Sequence, residues 1–524
     1  MTFPRAWALL LGLCLSWSLA PAQVLRWASQ GDVQTLDPHS QNEVMTNSIN
    51  GQVYEPLLRR DQQLRLVPGL ATSWTQLDPT TWRMTLRGGV RFHDGSPFTA
   101  DDVVFSIRRA QQSTSAFQAY ASAMGEPRRI DDLTVEFALP QFNPVFLEQA
   151  SLVMIMSRAW SEQHGAGTPL DFRTGEVKFT SLHSNGTGPY VLVSRQPDVK
   201  SVFRRNPSWW GKFDGNVQEV VYTPLRSDAT RTAGLLSGQL DLVLDPSPQD
   251  VQKLREHPDI RVLEGVENRI IFVGMDQARD QLLYGGEKGR NPFKDLRVRR
   301  AMYQAIDIDT LKTRLMRNLS VPTGSMMHNS LGTFSDPEFE RRLPYDPAAA
   351  RRLLAEAGYA NGFAVTMDCP NDRYIHDEEI CLALAAMWSQ VGVKVSVNAM
   401  PRAPYFAKGQ KLDTSLYLLG WGGSITDAET TLTPVLRPRG EKGIGFWNWG
   451  NYRNARLDEL AAASSLEPDP AKRAELIKAA FREHNAQIHH IPLHRQVIPW
   501  AMRRNVTAVH RADNWLEWRW VVVK

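Results

Sequence analysis

A strand, a helix and a second strand follow one another in the second half of the chain, and this order restricts the fold more than any other pattern in the sequence. Phe363 to Asp368 has the composition of a strand, Asp377 to about Val391 has the length of a helix, and the residues VKVSV form the next strand. Two strands joined through a helix favour a parallel unit. Strand-like and helix-like stretches alternate along the rest of the chain as well. We therefore expect the α/β class.

An early segment has the period of a β-strand. The residues TWRMTL alternate apolar and polar side chains, which is typical of a strand with one buried face. Gly88-Gly89 then turns the chain, and Val90 and Phe92 resume the apolar pattern. This order predicts that the second stretch is the hairpin partner of the first.

Two helices have recognisable starts. Thr99 is a natural N-cap, and the acidic Asp101 and Asp102 that follow it suit the positive end of a helix. Asp346 precedes a proline in the same way, and the apolar pattern after it ends at Gly358, a residue that commonly terminates helices.

The N-terminus has the features of a secretory signal. Arg5 supplies a positive charge, Ala6 to Ala20 is an apolar stretch of about 15 residues, and Ala20-Pro21-Ala22 has the small-x-small pattern of a cleavage site. A membrane-spanning helix needs roughly 20 apolar residues, so a retained anchor is the weaker alternative. We expect residues 1–22 to be a cleaved signal peptide, Gln23 to be the mature N-terminus, and the protein to be periplasmic.

The composition excludes some partners and leaves one covalent question open. A hydrophobic content of 42% with 22% charged residues is normal for a globular protein, and a net charge of +4 without a long basic tract argues against a nucleic-acid partner. Cys369 and Cys381 are the only cysteines after the signal. In an oxidising compartment they can form a disulfide, but spacing alone does not establish the geometry, so two reduced thiols are the alternative.

A series of motifs carries a resemblance to a known family. In chain order these are YEPLLRR, LVPGLATSW, TWRMTLRGGVRFHDGSPFTADDVVFSI, NGTGPYVL, NPSWWG, DLRVRRAMYQAID, YDPAAARRLLAEAGY and GWGGSITDAE. Together, from about Leu25 to Trp520, they resemble the extracytoplasmic solute-binding proteins of ABC importers, in the class (family 5) that includes dipeptide- and oligopeptide-binding proteins. The resemblance implies an α/β, two-lobed periplasmic binding protein fold with a hinge and an extra domain inserted in the first lobe.

The resemblance also implies approximate domain boundaries. The first lobe is placed at 23–58, 184–275 and 497–524, and the second lobe at 276–496. The inserted domain is placed at 59–183. The soft turn of Asn185 to Tyr190 fits the point where the chain returns from the insert.

Asp427 is the first candidate ligand contact. It follows the strand Ser415 to Leu419 and the glycine-rich residues GWGG, and ligands of open α/β sheets lie beyond the carboxyl ends of strands. A shielded carboxylate pairs well with an ammonium group, and the resemblance implies that Asp427 holds the free α-amino group of a peptide. The alternative is that Asp427 caps a short helix that begins after it.

Arg373 is the candidate for the opposite charge. It follows the strand Phe363 to Asp368, and it resembles the arginine that pairs with the bound carboxylate in dipeptide-binding proteins. The alternative is an arginine that is solvated or paired with Asp372 or Asp377. Glu43 corresponds to a place where family members contact ligand from the first lobe, and it is a candidate for a second cation contact.

The remaining candidates are backbone groups and aromatic rings. Backbone N–H groups are available in the loop Gln41 to Val44, which includes Asn42, and at Gly422 and Gly423. Trp421 can cover a ligand, and Trp447 and Trp449 are alternatives for which core packing is the ordinary role.

No motif indicates catalysis, a metal ion or a cofactor. The chain lacks GxSxG, Walker and HExxH sequences. It does contain four neighbouring histidines, His484, His489, His490 and His494. Pro492 interrupts any helix between the last two, so we expect no metal site there.

These observations lead to a binding protein rather than an enzyme. We expect a monomeric protein that captures a peptide or peptide-like solute and delivers it to an inner-membrane ABC permease. The alternatives are the same class of protein with a nickel chelate, an oligosaccharide or an opine as ligand, since fold alone does not fix the ligand, and, more remotely, an exported hydrolase.

Overall fold

A computed structural model describes the main part of the chain. The described residues are 23–172, 174–327, 334, 336–422, 426–441 and 443–524. The predicted signal peptide, residues 1–22, lies outside them. Within the described residues, none of the helices combines the length and the apolar character that a membrane crossing requires.

Strands and helices alternate along the chain. The strands are β1 (Val24–Ser29), β2 (Glu55–Pro56), β3 (Leu58–Arg60), β4 (Leu66–Pro68), β5 (Ala71–Asp78), β6 (Thr81–Leu86), β7 (Glu126–Asp131), β8 (Thr134–Ala138), β9 (Met154–Ile155), β10 (Tyr190–Gln196), β11 (Lys200–Arg205), β12 (Glu219–Pro224), β13 (Leu242–Leu244), β14 (Ile260–Met275), β15 (Ser320–Pro322), β16 (Phe363–Pro370), β17 (Val393–Met400), β18 (Leu416–Trp421), β19 (His490–Arg503), β20 (Val506–Thr507) and β21 (Val522–Val523). The α-helices are α1 (Val44–Val53), α2 (Ala100–Ala110), α3 (Gln118–Ala123), α4 (Phe146–Gln149), α5 (Arg158–Gln163), α6 (Asp228–Leu236), α7 (Pro248–Glu256), α8 (Leu296–Gln304), α9 (Ile308–Thr310), α10 (Pro337–Glu340), α11 (Pro347–Glu356), α12 (Asp377–Ser389), α13 (Arg402–Gln410), α14 (Glu429–Thr431), α15 (Ala455–Ser464) and α16 (Pro470–Gln487). Short 3₁₀ turns occur at Phe179–Ser181, Pro292–Lys294 and Trp518–Trp520, and π turns at Leu311–Leu315 and Leu432–Leu436.

The main sheet joins the two lobes through two long strands. Its order is β10-β11-β12-β1-β13-β19-β14-β18-β16-β17, with β15 paired to β19. The antiparallel pair β14 and β19 stands between the strands of the first lobe and those of the second, and with 16 and 14 residues these are the longest strands described. A pair of strands that serves both lobes provides the hinge of a two-lobed fold, as the resemblance implies.

The parallel unit in the second lobe is confirmed. β16 and β17 pair in parallel, with Phe363 opposite Val393, and α12 connects them. Cys369, at the end of β16, forms a disulfide with Cys381 of α12. This bond closes the loop between strand and helix, and that loop contains Arg373.

The inserted domain has its own sheet and core. β5, β6, β8 and β7 form a four-stranded sheet. Helix α2 follows its N-cap Thr99, whose backbone N–H donates to Asp102 Oδ2 at 2.9 Å. The predicted hairpin is wrong. β6 pairs with β5 and β8, so both of its edges are occupied, and Val90 and Phe92 instead lie buried in the core of the domain.

A tight contact marks the return from the insert to the first lobe. The backbone N–H of Gly188 donates to the carbonyl of Val53 at 2.8 Å. A Cβ atom at Gly186 would lie 2.0 Å from that same oxygen, so only glycine permits this approach. The fold is therefore the expected α/β, two-lobed fold with an inserted domain, and the residue boundaries of its domains stay a prediction.

Candidate functional site

A cavity of about 450 Å³ opens where the two lobes and the inserted domain meet. Its lining includes the loop before α1, the loop that follows β16, the end of β18, the middle of β14, and Ser113 to Tyr120 of the inserted domain. Because β16 and β18 are parallel neighbours, their carboxyl ends lie at the same edge, which is where open α/β sheets bind ligands. The volume is in the range of small-molecule sites.

The end of β18 fixes the position of the neighbouring loop. A Cβ atom at Gly420 would lie 2.7 Å from Cε1 of Tyr374, so the tyrosine ring occupies the space of the missing side chain. The Tyr374 hydroxyl also donates to the carbonyl of Gly420 at 3.3 Å. The glycine therefore brings Tyr374, and with it Arg373, against the end of the strand at the cavity wall.

An irregularity in the hinge strand places a charge pair in the cavity. The pairing of β14 with β19 shifts between Val266 and Ile270, and Glu267, Asn268 and Arg269 in this interval line the cavity. Bulges of this kind redirect side chains out of the regular ladder. The Arg269 guanidinium donates to Glu267 through Nε at 3.0 Å and Nη2 at 2.9 Å.

Arg373 lies in the cavity wall with unused donors. Its side chain is 11% exposed, and its Nη2 atom is 3.4 Å from Oε1 of Glu43. Within the part of the chain that the structure describes, the guanidinium donates no hydrogen bond, and Nε is buried without a partner. Of the alternative partners, Asp377 accepts the backbone N–H of Arg373 at 2.9 Å and leaves its guanidinium unbound. Burial and the nearby charge of Arg269 lower the pKa of Arg373.

Glu43 connects the two lobes. It caps α1 by accepting the backbone N–H of Thr46 at 2.9 Å, and its Oε1 atom faces Arg373 and, at 3.7 Å, Arg402 Nη1. Arg402 also donates to the carbonyl of Asp32 at 3.1 Å. Burial would raise the pKa of Glu43, but the two arginines and the cap bonds outweigh it and lower the pKa to about 2. The carboxylate is therefore charged and already engaged by cations of the protein.

Aromatic rings form another part of the wall. Trp447 lies 5.6 Å from Trp421 and 5.8 Å from Phe406 between ring centroids. All three line the cavity, together with Phe446. The Trp421 indole N–H donates to the carbonyl of Thr430 at 2.9 Å, which fixes the ring.

Asp427 has a partner within the second lobe. Its two oxygens accept from Nη1 and Nη2 of Arg473 at 2.8 Å each, and Oδ1 also accepts the backbone N–H of Glu429 at 2.9 Å. Asp427 is outside the lining of the cavity. The alternative that Asp427 caps a short helix thus has an observed hydrogen bond. The amino-group role stays a prediction, and a ligand ammonium group would compete with Arg473 for the same oxygens.

The other predicted residues have mixed positions. Asn42 and Gly422 line the cavity, and Asn42 Oδ1 accepts from the Asn47 side chain at 2.9 Å. Trp449, by contrast, is 1% exposed and belongs to the core of the second lobe. Gly423 lies outside the described residues.

Sequence reasoning missed Arg269, Arg402, Arg473 and Phe406. A signal existed for Arg269, because the charged residues ENR interrupt an apolar run in the middle of a long strand. No local pattern distinguishes the other three, since their partners are distant in sequence.

The four neighbouring histidines are buried in the second lobe. His484 Nε2 lies 3.0 Å from His490 Nδ1, and His489 Nδ1 lies 2.8 Å from Gln277 Oε1. Burial lowers the pKa of His484 to about 4 and that of His494 to about 3. Among the described residues, no group of three or more His, Cys, Asp and Glu side chains is placed to hold a metal ion.

Known proteins share this architecture. A heme-binding protein A from Haemophilus influenzae is 26% identical over 83% of this chain and 80% of its own length. The glutathione-binding protein GsiB from Pectobacterium atrosepticum is 27% identical over 92% of this chain and 90% of its own length. Among solved structures, the periplasmic binding protein DppA from Helicobacter pylori, in complex with the peptide STSA, superposes with a TM-score of 0.84 at 20% identity, covering 96% of this chain and 98% of that one.

Residues 65–443 match the family described as bacterial extracellular solute-binding proteins, family 5. The matched residues cover most of the insert, the hinge strand β14 and most of the second lobe, and they include Arg269, Arg373, Phe406 and Trp421 of the cavity wall. The chain therefore belongs to the family 5 extracellular solute-binding proteins, which serve ABC importers.

Proposed function

We propose that this protein captures a peptide-like solute in the periplasm, encloses it between its two lobes, and delivers it to the inner-membrane permease of an ABC importer. It acts as a monomer, without catalysis and without a cofactor. The observation that carries the proposal is Arg373, a guanidinium in the cavity wall whose donors have no hydrogen-bond acceptor among the described residues.

The chemistry of a guanidinium points to a carboxylate as its ligand. Arginine presents its N–H groups in a planar fork that matches two carboxylate oxygens. Arg269 and Arg402 flank it, but both already donate hydrogen bonds, Arg269 to Glu267 and Arg402 to the carbonyl of Asp32. Arg373 is thus the group that a peptide carboxylate can bind without displacing an existing hydrogen bond. Asn42, Gly422 and Trp421 line the cavity as further contacts.

The test compares a peptide acid with its C-terminal amide in wild type and in Arg373→Gln. Removing one partner of a buried charge pair costs about 2–5 kcal/mol, or roughly 30- to several thousandfold in affinity. We expect wild type to prefer the acid by this factor in titration calorimetry, and the variant to bind acid and amide alike. Arg297→Gln, at an exposed ion pair with Asp295, is the matched control and retains the preference.

Other outcomes would contradict the proposal in distinct ways. If wild type binds acid and amide equally, Arg373 does not hold the carboxylate. If a screen by thermal shift finds only nickel chelates, oligosaccharides or opines, and no peptide of two to five residues, then the solute is not peptide-like. Hydrolysis of a bound peptide by the pure protein would refute the non-enzymatic role.

A further inference from the structure

An aromatic wall in the cavity identifies a second feature of the solute. Trp447 is its centre, with Trp421, Phe406 and Phe446 around it at ring-centroid distances of 5.6, 5.8 and 5.6 Å. The rings come from β18, from α13 and from the loop that leads to Trp449. Three separate segments of the second lobe therefore converge to make one apolar surface.

Trp421 is 9% exposed and joins this surface to the core of the second lobe, but two of the other rings are more exposed. Phe446 is 39% exposed, and Trp447 is partly exposed, whereas Trp449 directly behind them is 1% exposed. Aromatic rings left in contact with water inside a cavity gain free energy when an apolar group covers them. The wall thus has the properties of a ligand-binding surface, against which an apolar group of the solute can pack.

The inserted domain also contributes to the cavity that the aromatic wall lines. Ser113 to Tyr120 lines the cavity opposite the second lobe. The two sides touch at Gly443, where an added Cβ would lie 2.9 Å from Cβ of Ala119. Gly443 also has φ of +81°, a conformation that favours glycine. The aromatic wall therefore lines the cavity on the side that borders the inserted domain.

The aromatic wall and the arginine end belong to the same cavity. Trp421 stands between Gly420, which contacts the Tyr374 ring, and Gly422, where a Cβ would lie 3.6 Å from Arg269 Nη2. A solute whose carboxylate binds Arg373 therefore presents its neighbouring groups to the indole of Trp421 and then to Trp447. The volume of about 450 Å³ accommodates a side chain in addition to a small backbone.

We infer that the solute carries an aromatic or bulky apolar group beside its carboxylate, and that the wall around Trp447 selects for it. This inference rests on the proposed function and adds the side-chain class to it. Burying a large apolar side chain favours binding by about 10- to 150-fold. The preferred ligands are thus peptides with Phe, Trp or Leu, and small polar peptides bind weakly.

The experiment measures the affinities of Ala-Ala-Phe, Ala-Ala-Trp, Ala-Ala-Ser and Ala-Ala-Ala by titration calorimetry, so that the varied side chain is next to the carboxylate. Wild type should prefer the aromatic peptides over Ala-Ala-Ala by about 10-fold or more. Trp447→Ala should cut this ratio about tenfold, and Phe446→Ala, at a more exposed ring, should cut it in the same direction. Trp74→Ala, at a partly exposed tryptophan of the inserted sheet, is the control and keeps the wild-type ratio.

The outcomes separate this inference from the function beneath it. Equal affinities of wild type for all four peptides would overturn the aromatic preference while leaving peptide capture intact. A uniform weakening of every peptide by Trp447→Ala and Phe446→Ala would likewise overturn the selective role of the wall. Binding of none of the peptides, in a protein that melts cooperatively, would overturn the proposed function itself.

Discussion

Replacing Asp427 with asparagine separates two roles for this carboxylate. In the structure its oxygens accept two hydrogen bonds of 2.8 Å from Arg473, and the two side chains are 12% and 9% exposed. Removing one charge of a buried pair costs about 3–5 kcal/mol. The asparagine oxygen still accepts from Arg473 and from the Glu429 N–H, so we expect the lower end, a loss of about 3 kcal/mol in the free energy of unfolding.

The assay is urea unfolding of wild type and Asp427→Asn, together with calorimetric titration of a peptide and its N-acetylated form. Asp458→Asn is the matched control, because its pair with Arg437 is 40% exposed on the carboxylate side, and it should cost less than about 1 kcal/mol. We expect Asp427→Asn to be destabilised while its peptide affinity stays within about threefold of wild type. The opposite result would refute this reasoning: Asp427→Asn as stable as wild type, but with about a hundredfold lower affinity for the peptide. If wild type also failed to bind the N-acetylated peptide, the amino-group role would be established.

Two further predictions concern pH and lobe closure. Burial lowers the pKa of His484 to about 4 in the folded state, against about 6.5 in the unfolded state. As the pH falls, the unfolded state therefore binds a proton first. The neutral His484 stabilises the fold fully above pH 6.5, and about 2 kcal/mol of this stability is lost by pH 5. The urea midpoints of wild type and His484→Gln, compared from pH 8 to 5, isolate this loss from that of other buried histidines such as His494. The same pH slope in both proteins would contradict the prediction. Glu43→Gln removes the charge that faces Arg373 and Arg402 across the cleft. The open form should therefore become more stable relative to the closed form by about 1 kcal/mol, which raises the ratio of open to closed molecules about fivefold. Small-angle scattering of the ligand-free variant should then give a larger radius of gyration, and an unchanged radius would argue against these ion pairs as a closing contact.

Patterns that act over a few residues were predictable from the sequence. The helix α11 begins at Asp346, whose side chain accepts the Ala349 N–H at 2.8 Å, and it ends before Gly358 with φ of +86°. The parallel pairing of β16 and β17 follows in the same way from the strand–helix–strand order. Caps, turns and strand period are local, so one segment contains all the information needed.

The hairpin error has a different origin. Val90 and Phe92 have strand period, but whether they pair depends on which strands already occupy the edges of β6. β8 occupies one edge although about 50 residues separate the two strands in the sequence. The alternation of apolar and polar residues therefore predicts that the side chains of Val90 and Phe92 are buried, and they are. It does not predict which strand the backbone pairs with.

The same limit governs the charges of the site. A carboxylate in a glycine-rich loop and an arginine after a strand were both visible as candidates, but their availability to a ligand depends on partners elsewhere in the chain. Arg473 is 46 residues from Asp427 and engages both of its oxygens, whereas the carboxylate that faces Arg373 is that of Glu43, 3.4 Å away in the other lobe. A buried ion pair that is already complete gives a ligand little to gain, and a guanidinium with unused donors gives it several hydrogen bonds. Of the two candidates, Arg373 is thus the stronger anchor for the solute.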